Sequence, residues 1–194
     1  YVYPREFIPE GETDQSYFER LVYEGAHRVY RGLIPQAVDA QIQHEFKLIR
    51  KMNYASYFLT IWDIVDFARK RNIICQGRGS AANSICCYLL GITAIDPVRM
   101  NLLFERFISE ERSEPPDIDV DFEHERREEV IQYIYSRYGR DRAGMVSAVR
   151  TYRTRSAFLE LSKAIGVDVG SISAGELERD FERRAGSDAD KRPV

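Results

Sequence analysis

Three aspartates alternate with apolar residues in the segment PPDIDVDF, residues 115–122. A β-strand is predicted over 117–122, and because strand side chains alternate between faces, Asp117, Asp119 and Asp121 are expected on one face and the apolar residues in a core. Aligned carboxylates repel one another unless a cation lies among them, and a hard divalent ion suits that position. Two such ions about 3.5–4 Å apart can activate an attacking oxygen and stabilise a leaving phosphate oxygen. The alternative interpretation is a solvated acidic face on an edge strand.

A glycine- and serine-rich segment, GRGSAANS at residues 77–84, follows a predicted strand at 73–76 and precedes a predicted helix. A strand that runs into such a turn presents free backbone N–H groups and the positive end of a helix dipole to a phosphate. Here Gly79 would let the backbone approach the phosphate, Ser80 would donate its hydroxyl and Arg78 would add charge. The segment matches neither the Walker A nor the Rossmann pattern. The alternative is an ordinary strand-to-helix turn capped by Ser80.

Arginines lie on both sides of the acidic segment. Arg106, in the motif LLFERF, can reach a triphosphate or the aspartates, and its alternative is an ion pair on a helix surface. Six arginines and one aspartate lie between Arg137 and Arg155, a strip that suits a polyanionic substrate. The candidate contacts to a nucleic-acid strand are Arg150, Tyr152, Arg153 and Arg155. Packing of the tyrosine within a helix is the alternative for that residue.

Apolar periodicity predicts the elements that must position these groups. The first predicted helix runs from a cap at Asp14 or Ser16, with Ser16 and Glu19 as a capping box, to Gly32. Further helices are predicted after Pro35, over about 55–70, from the glycine-serine turn to Leu90, after Asp96-Pro97, over about 124–138 up to Gly139, and from Thr151 onwards. A further strand is predicted at Val146–Val149. Helices and a few strands alternate without a strict βαβ rhythm. The predicted fold class is therefore a mixed α/β or α+β domain, followed by a helical element.

Composition narrows the function classes. Apolar residues make up 44% of the 194 residues, enough for a core, and the net charge of −3 excludes a uniformly basic nucleic-acid coat protein. No apolar run approaches the roughly 18 residues of a membrane span. The cysteines form no CxxC pair, which is typical of reduced thiols in a cytoplasmic protein.

The motifs together resemble the bacterial C-family DNA polymerases, the family of the replicative polymerase III alpha subunit. The resemblance rests on GRGS, LLFERF, PPDIDVDF and EVIQYIYSRYGRDR, in this order over nearly all of residues 1–150. Two segments, CQGRGSAANS (75–84) and RTYRTRSA (150–157), are more similar to the error-prone, damage-tolerance branch.

The resemblance implies a nucleotidyltransferase palm of the polymerase-beta type with flanking helices over 1–150, and the start of a helical thumb over 151–194. It implies that Asp117 and Asp119 hold two catalytic Mg²⁺ ions, with Asp121 as a supporting metal carboxylate. Residues 77–80 correspond to the family's triphosphate motif: Gly79 and Ser80 match it, and Arg78 is adjacent. Arg106 matches an arginine that contacts the incoming nucleotide.

The activity implied by the resemblance is template-directed addition of deoxynucleotides to a primer 3′ end, in error-prone repair or translesion synthesis. The implied partners are primer–template DNA, a dNTP and the rest of the polymerase chain, with its fingers and second palm segment. A sliding clamp and damage-tolerance accessory proteins are further candidates. No membrane is expected as a partner. The family's third metal-binding aspartate belongs to a later palm segment, so the 194-residue piece alone is expected to be inactive. Two alternatives stay open, namely a non-catalytic nucleic-acid-binding scaffold and a small-substrate nucleotidyltransferase.

Overall fold

The computed structural model describes residues 4, 8–108, 115–149, 151–164 and 166. Within these ranges the α-helices are α1 (Asp14–Val29), α2 (Gln36–Met52), α3 (Ala55–Lys70), α4 (Ile85–Leu89), α5 (Arg127–Tyr138) and α6 (Thr154–Ala164); the strands are β1 (Cys75–Arg78) and β2 (Asp119–Phe122); and the 3₁₀ helices are η1 (Gly79–Asn83) and η2 (Phe104–Arg106). The predicted mixture of helices with a few strands is confirmed. The chain divides into two compact units, Tyr1–Gly144 and Met145–Val194. The assignment of 1–150 to a palm and of 151–194 to a thumb stays a prediction.

The core of the first unit lies among α1, α2, α3 and α4. Phe18 and Phe58 are fully buried, and their ring centroids are 5.4 Å apart. Removal of one such ring typically costs about 3–5 kcal/mol of folding free energy, so this cluster sets the arrangement of the helices. The predicted span of 55–70 for α3 is confirmed, and α3 buries six side chains along its length.

The N-terminus of α1 differs from the prediction. Thr13, rather than Asp14 or Ser16, is the N-cap, because its backbone is extended and its side chain accepts a hydrogen bond from the Ser16 backbone N–H. The Ser16 hydroxyl in turn accepts from the Thr13 N–H at 2.9 Å. The capping box therefore pairs these two residues, and Glu19 is not part of it.

The two strands form an antiparallel sheet in which Arg78 lies opposite Asp119 and Gln76 opposite Asp121. The predicted strand at 73–76 is displaced towards the C-terminus, because Gly77 and Arg78 pair with β2 instead of forming a loop. The prediction of a strand from residue 117 is also wrong. Since β1 ends at Arg78, Asp117 and Ile118 have no strand partner among the described residues.

The segment after β1 is not one continuous helix to Leu90. Gly79, at φ +69°, begins η1, and Ser84 then takes an extended conformation (φ −99°, ψ 125°) before α4 starts. Ser84 is the N-cap of α4, and its side chain accepts a hydrogen bond from the Cys87 N–H. The interpretation of Ser80 as the helix cap is therefore wrong, since Ser80 lies inside η1.

Two other sequence predictions fail. The Asp96 carboxylate accepts from the Val98 and Arg99 N–H groups as an N-cap would, but the following residues form only a turn, which ends at Asn101 with φ +52°. Residues 146–149 are not a strand, because nothing in the described chain pairs with them and the Val146 side chain is 95% exposed. The predicted end of α5 at Gly139 is confirmed, although α5 begins at Arg127 rather than at 124.

The three cysteines are free thiols, as the sequence predicted, and Cys86 and Cys87 are buried in α4. Burial raises the pKa of the Cys86 thiol well above its usual value. Over the described ranges of the chain, no helix is long and apolar enough to cross a membrane.

Candidate functional site

The acidic face of β2 is exposed, and its other face packs on the core. Asp121 and Asp119 keep 65% and 42% of their side chains exposed, whereas Val120 and Phe122 pack against core residues. Ile118, just before the strand, is buried. The predicted alternation of acidic and apolar residues is therefore confirmed over the strand.

Arg78 supplies the positive charge among these carboxylates. Its Nη1 lies 3.3 Å from Asp119 Oδ2, and its Nε lies 3.0 Å from Asp121 Oδ2. The hydrogen bond to Asp121 and the charge of Asp119 raise the pKa of the guanidinium. All three side chains are exposed to water, and exposed ion pairs contribute little net stability. The arginine is therefore held loosely enough for another cation to compete with it.

The glycine-serine turn lies directly against the acidic segment. A Cβ atom added to Gly79 would lie 3.3 Å from Asp119 Oδ2, so the Gly79 backbone faces that carboxylate without an intervening side chain. The Ser80 hydroxyl donates a 3.4 Å hydrogen bond to the backbone carbonyl oxygen of Asp117. Asp117 itself is exposed at the entrance to β2. The structure thus brings together the two motifs that the sequence placed about forty residues apart.

Gly77 fixes the position of β1 relative to the chain that follows α4. Its N–H donates to the Ile92 carbonyl oxygen at 2.8 Å, on the side of β1 that does not face β2. A Cβ atom at Gly77 would lie 2.5 Å from that oxygen, which is closer than real Cβ contacts. A glycine is needed here because the two backbones approach so closely.

Arg106 is a surface residue of η2. Its element, η2, packs against η1 and is anchored by the buried rings of Phe104 and Phe107. The neighbouring Glu105 carboxylate forms a 3.1 Å hydrogen bond with the imidazole of His44 instead of pairing with Arg106. Arg106 itself is exposed, on an element that lies next to η1.

Within the residues that the structure describes, no three His, Cys, Asp or Glu side chains lie close enough together to hold a metal ion by themselves. Mg²⁺ in phosphoryl-transfer sites is usually held by one or two carboxylates, with substrate phosphates and waters completing its coordination. The donor set of Asp117 and Asp119, hard carboxylate oxygens beside the Gly79–Ser80 turn, fits that kind of site. It does not form a closed protein cage.

The arginine strip is described only in part. In the first unit, the Arg140 guanidinium lies 4.0 Å from the centroid of the Tyr135 ring. In the second unit, Tyr152 and Arg153 are exposed. The predicted contact at Arg150 lies outside the described residues, as does the side chain of Arg155.

Sequence reasoning missed a buried carboxylate, Glu45 on α2. It is fully buried and accepts hydrogen bonds from the Ser84 hydroxyl (2.7 Å), the Ile85 N–H (2.8 Å) and the Cys86 N–H (3.1 Å). Burial raises its pKa, against the opposing effect of these hydrogen bonds. A signal was present in the sequence, because Glu45 occupies a position of the apolar stripe of α2, three residues after Ile42.

Comparison of the sequence with known protein families and relatives shows which family the chain belongs to. A family model described as "Bacterial DNA polymerase III alpha NTPase domain" matches residues 16–189. Three similar relatives, all named "Error-prone DNA polymerase", come from Anaeromyxobacter sp. strain K (64% identity over 157 residues, 81% of this chain), Hahella chejuensis (59% over 169 residues, 87%) and Brucella abortus (52% over 201 residues, 98%). The chain spans only 14%, 16% and 19% of the lengths of these relatives. The predicted resemblance is confirmed: this chain belongs to the bacterial DNA polymerase III alpha family.

Proposed function

We propose that the longer protein carrying this chain is a DNA-directed DNA polymerase of the error-prone branch, which adds deoxynucleotides to a primer 3′ end. One observation carries the proposal, namely that the Gly79 backbone faces the Asp119 carboxylate in a chain of this family. A glycine-serine turn next to exposed carboxylates suits a triphosphate that must meet metal ions at its reacting phosphate. The names of the relatives support the error-prone branch.

Each site residue has a role in this proposal. Asp117 and Asp119 would hold two Mg²⁺ ions, with Asp121 in support. When bound, the ions supply charge stabilisation at the attacking and leaving oxygens of an in-line displacement. The backbone of Gly79 and the hydroxyl of Ser80 would bind and orient the triphosphate. The guanidinium groups of Arg78 and Arg106 would offset the negative charge of the phosphates.

The rest of the polymerase must complete the site. Residues 1–150 would form the first palm segment, of the polymerase-beta type, and residues 151–194 the start of a thumb that binds primer–template DNA through Tyr152 and the adjacent arginines. A third carboxylate and the fingers would come from elsewhere in the longer protein. The 194-residue chain alone should therefore give no primer extension, and measurable extension by it would contradict this part of the proposal.

The test is Asp119→Asn in the full-length protein, assayed by primer extension with Mg²⁺. Loss of several kcal/mol of metal-dependent stabilisation predicts a rate at least about a thousandfold lower, at about 1.4 kcal/mol per tenfold change. Asp66→Asn is the matched control, because Asp66 forms an i,i+4 ion pair with the exposed Lys70 on α3, away from β2. The control should retain the wild-type rate, and both variants should show the wild-type melting temperature within a few degrees.

A second candidate function, a non-catalytic nucleic-acid-binding scaffold, is favoured by one observation. Arg78 pairs with both Asp119 and Asp121, so a cation already lies between these carboxylates when no metal ion is bound. In a scaffold the aspartates would have no catalytic role, and Asp119→Asn would leave the extension rate of the full-length protein unchanged. The same measurement therefore decides between the two functions.

A further inference from the structure

The turn that faces Asp119 is stabilised by the side chain of Glu45, which belongs to neither the glycine-serine motif nor the acidic motif. Glu45 projects from α2 to the junction between η1 and α4 and is fully buried there. Its Oε2 accepts from the Ser84 hydroxyl and the Cys86 N–H, and its Oε1 accepts from the Ile85 N–H. A second hydrogen bond to Oε1 comes from the Gln41 amide at 3.0 Å. Both oxygens are thus fully used by donors.

The contacts of Ser84 lead directly into the turn. Ser84 follows the last residue of η1, and its N–H donates to the Ala81 carbonyl oxygen at 3.1 Å. The side-chain amide of Asn83 donates to the Ser80 carbonyl oxygen at 2.9 Å. Ala81 is fully buried, so η1 cannot shift freely. A change at Glu45 therefore acts on Ser80 through two short hydrogen-bonded steps.

The other end of α4 is also held, by cations from two further helices. Arg28 on α1 donates to the Leu89 carbonyl oxygen at 3.3 Å, and Arg69 on α3 donates to the Gly91 carbonyl oxygen. A positive charge at the C-terminus of a helix and a negative charge at its N-terminus both interact favourably with the helix dipole. Since the C-terminal end is fixed, loss of Glu45 would be felt at η1 and not absorbed at the far end of α4.

We propose that Glu45 is a positioning residue for the triphosphate turn: through Ser84 and the first N–H groups of α4 it sets the distance between the Gly79–Ser80 backbone and Asp119. This inference rests on the function proposed above. Glu45 touches neither substrate nor metal in this role. Its effect is indirect, because a displaced turn binds the triphosphate of the dNTP less tightly, and a displacement of about 1 Å can cost about a hundredfold.

The experiment compares Glu45→Gln with wild type in the full-length protein, by single-nucleotide incorporation at varied dNTP concentration. The glutamine has the same shape, but its NH₂ group must face a donor, either the Cys86 N–H or the Ile85 N–H. We expect the KM for dNTP to rise roughly 10- to 100-fold while the Kd for primer–template stays within about twofold. The matched control is Glu24→Gln, which affects an exposed ion pair with Arg20 and should change neither constant.

A merely structural role predicts a different pattern. Partial unfolding lowers the concentration of active protein, so it would lower the apparent kcat at an unchanged KM. That result, in a variant that melts above the assay temperature, overturns the inference. Should Glu45→Gln not fold, Ser84→Ala replaces it, since this variant removes one hydrogen bond to Glu45 and must raise the KM in the same direction for the inference to stand.

The failure of this inference can be distinguished from failure of the proposed function. If Asp119→Asn abolishes extension but neither Glu45→Gln nor Ser84→Ala raises the KM, only the positioning role is wrong. If Asp119→Asn leaves extension unchanged, the turn does not serve polymerisation, and the positioning role is overturned with it.

Discussion

The first unit contains two carboxylate sites that differ in almost every physical respect. At the exposed edge, Asp119 and Asp121 face water and share one arginine from the neighbouring strand. At the interior site, Glu45 is fully buried and its oxygens accept from backbone and side-chain donors of the α4 junction and α2. The exposed pair is held weakly and can exchange partners, whereas the buried carboxylate has fixed ones.

This difference separates two tasks that carboxylates perform next to one turn. A group that must bind a metal ion and release it needs access to water and weakly held partners. A group that must hold a turn in place needs partners that water cannot replace. Stability should therefore depend mainly on the buried site, and the proposed activity on both.

The largest expected effect on stability is that of Glu45→Ala. The substitution leaves the Ile85 and Cys86 N–H groups buried without an acceptor and opens a cavity, so the free energy of unfolding should fall by about 3–5 kcal/mol. Urea unfolding of the 194-residue chain measures this change. Glu24→Ala, at an exposed ion pair, should cost less than about 1 kcal/mol. Similar losses for the two variants would show that Glu45 does not hold the junction between η1 and α4 in place.

A middle-sized effect is expected for Gly77→Ala, which tests the close backbone approach behind the turn. Its Cβ would meet the Ile92 carbonyl oxygen at 2.5 Å, and relief of this overlap should cost about 2 kcal/mol of unfolding free energy. Gly144→Ala is the matched control, because no described residue beyond the chain neighbours of Gly144 comes within 4 Å of its added Cβ. The same urea titration applies to both variants. Equal stability of Gly77→Ala and wild type would mean that β1 and the Ile92 segment can separate without cost.

The smallest stability effect is expected at the exposed edge. Arg78→Ala removes both ion pairs of the acidic face, yet exposed pairs are worth about 0–1 kcal/mol each, and the loss should stay near this range. A double-mutant cycle of Arg78→Ala with Asp121→Asn measures the coupling between the two side chains, at low and at high salt. A coupling free energy above about 2 kcal/mol that persists in high salt would erase the contrast between the exposed and buried sites.

Local sequence patterns predicted the parts of the site that depend on local geometry. The alternation in DVDF predicted which face of β2 is acidic, and the apolar content of 55–70 predicted α3. The start of β2 at Asp119 was not predictable in this way, because it is set by where β1 ends and by the turn at Gly79. The hydrogen bonds of Glu45 to Ser84, Ile85 and Cys86 were missed for the same reason, since these residues lie about forty positions further along the chain and are brought to Glu45 by packing of α2 against α4.

Three side chains, Arg28, Glu45 and Arg69, form hydrogen bonds at the two ends of α4, and they come from three separate helices, α1, α2 and α3. The shape of the glycine-serine turn is thus a product of long-range assembly and is not encoded in its own few residues. A peptide covering only residues 75–91 should be unstructured in water, because a five-residue helix without these hydrogen bonds cannot offset the free-energy cost of its nucleation. The turn should accordingly become ordered late in folding, after the helical core has formed.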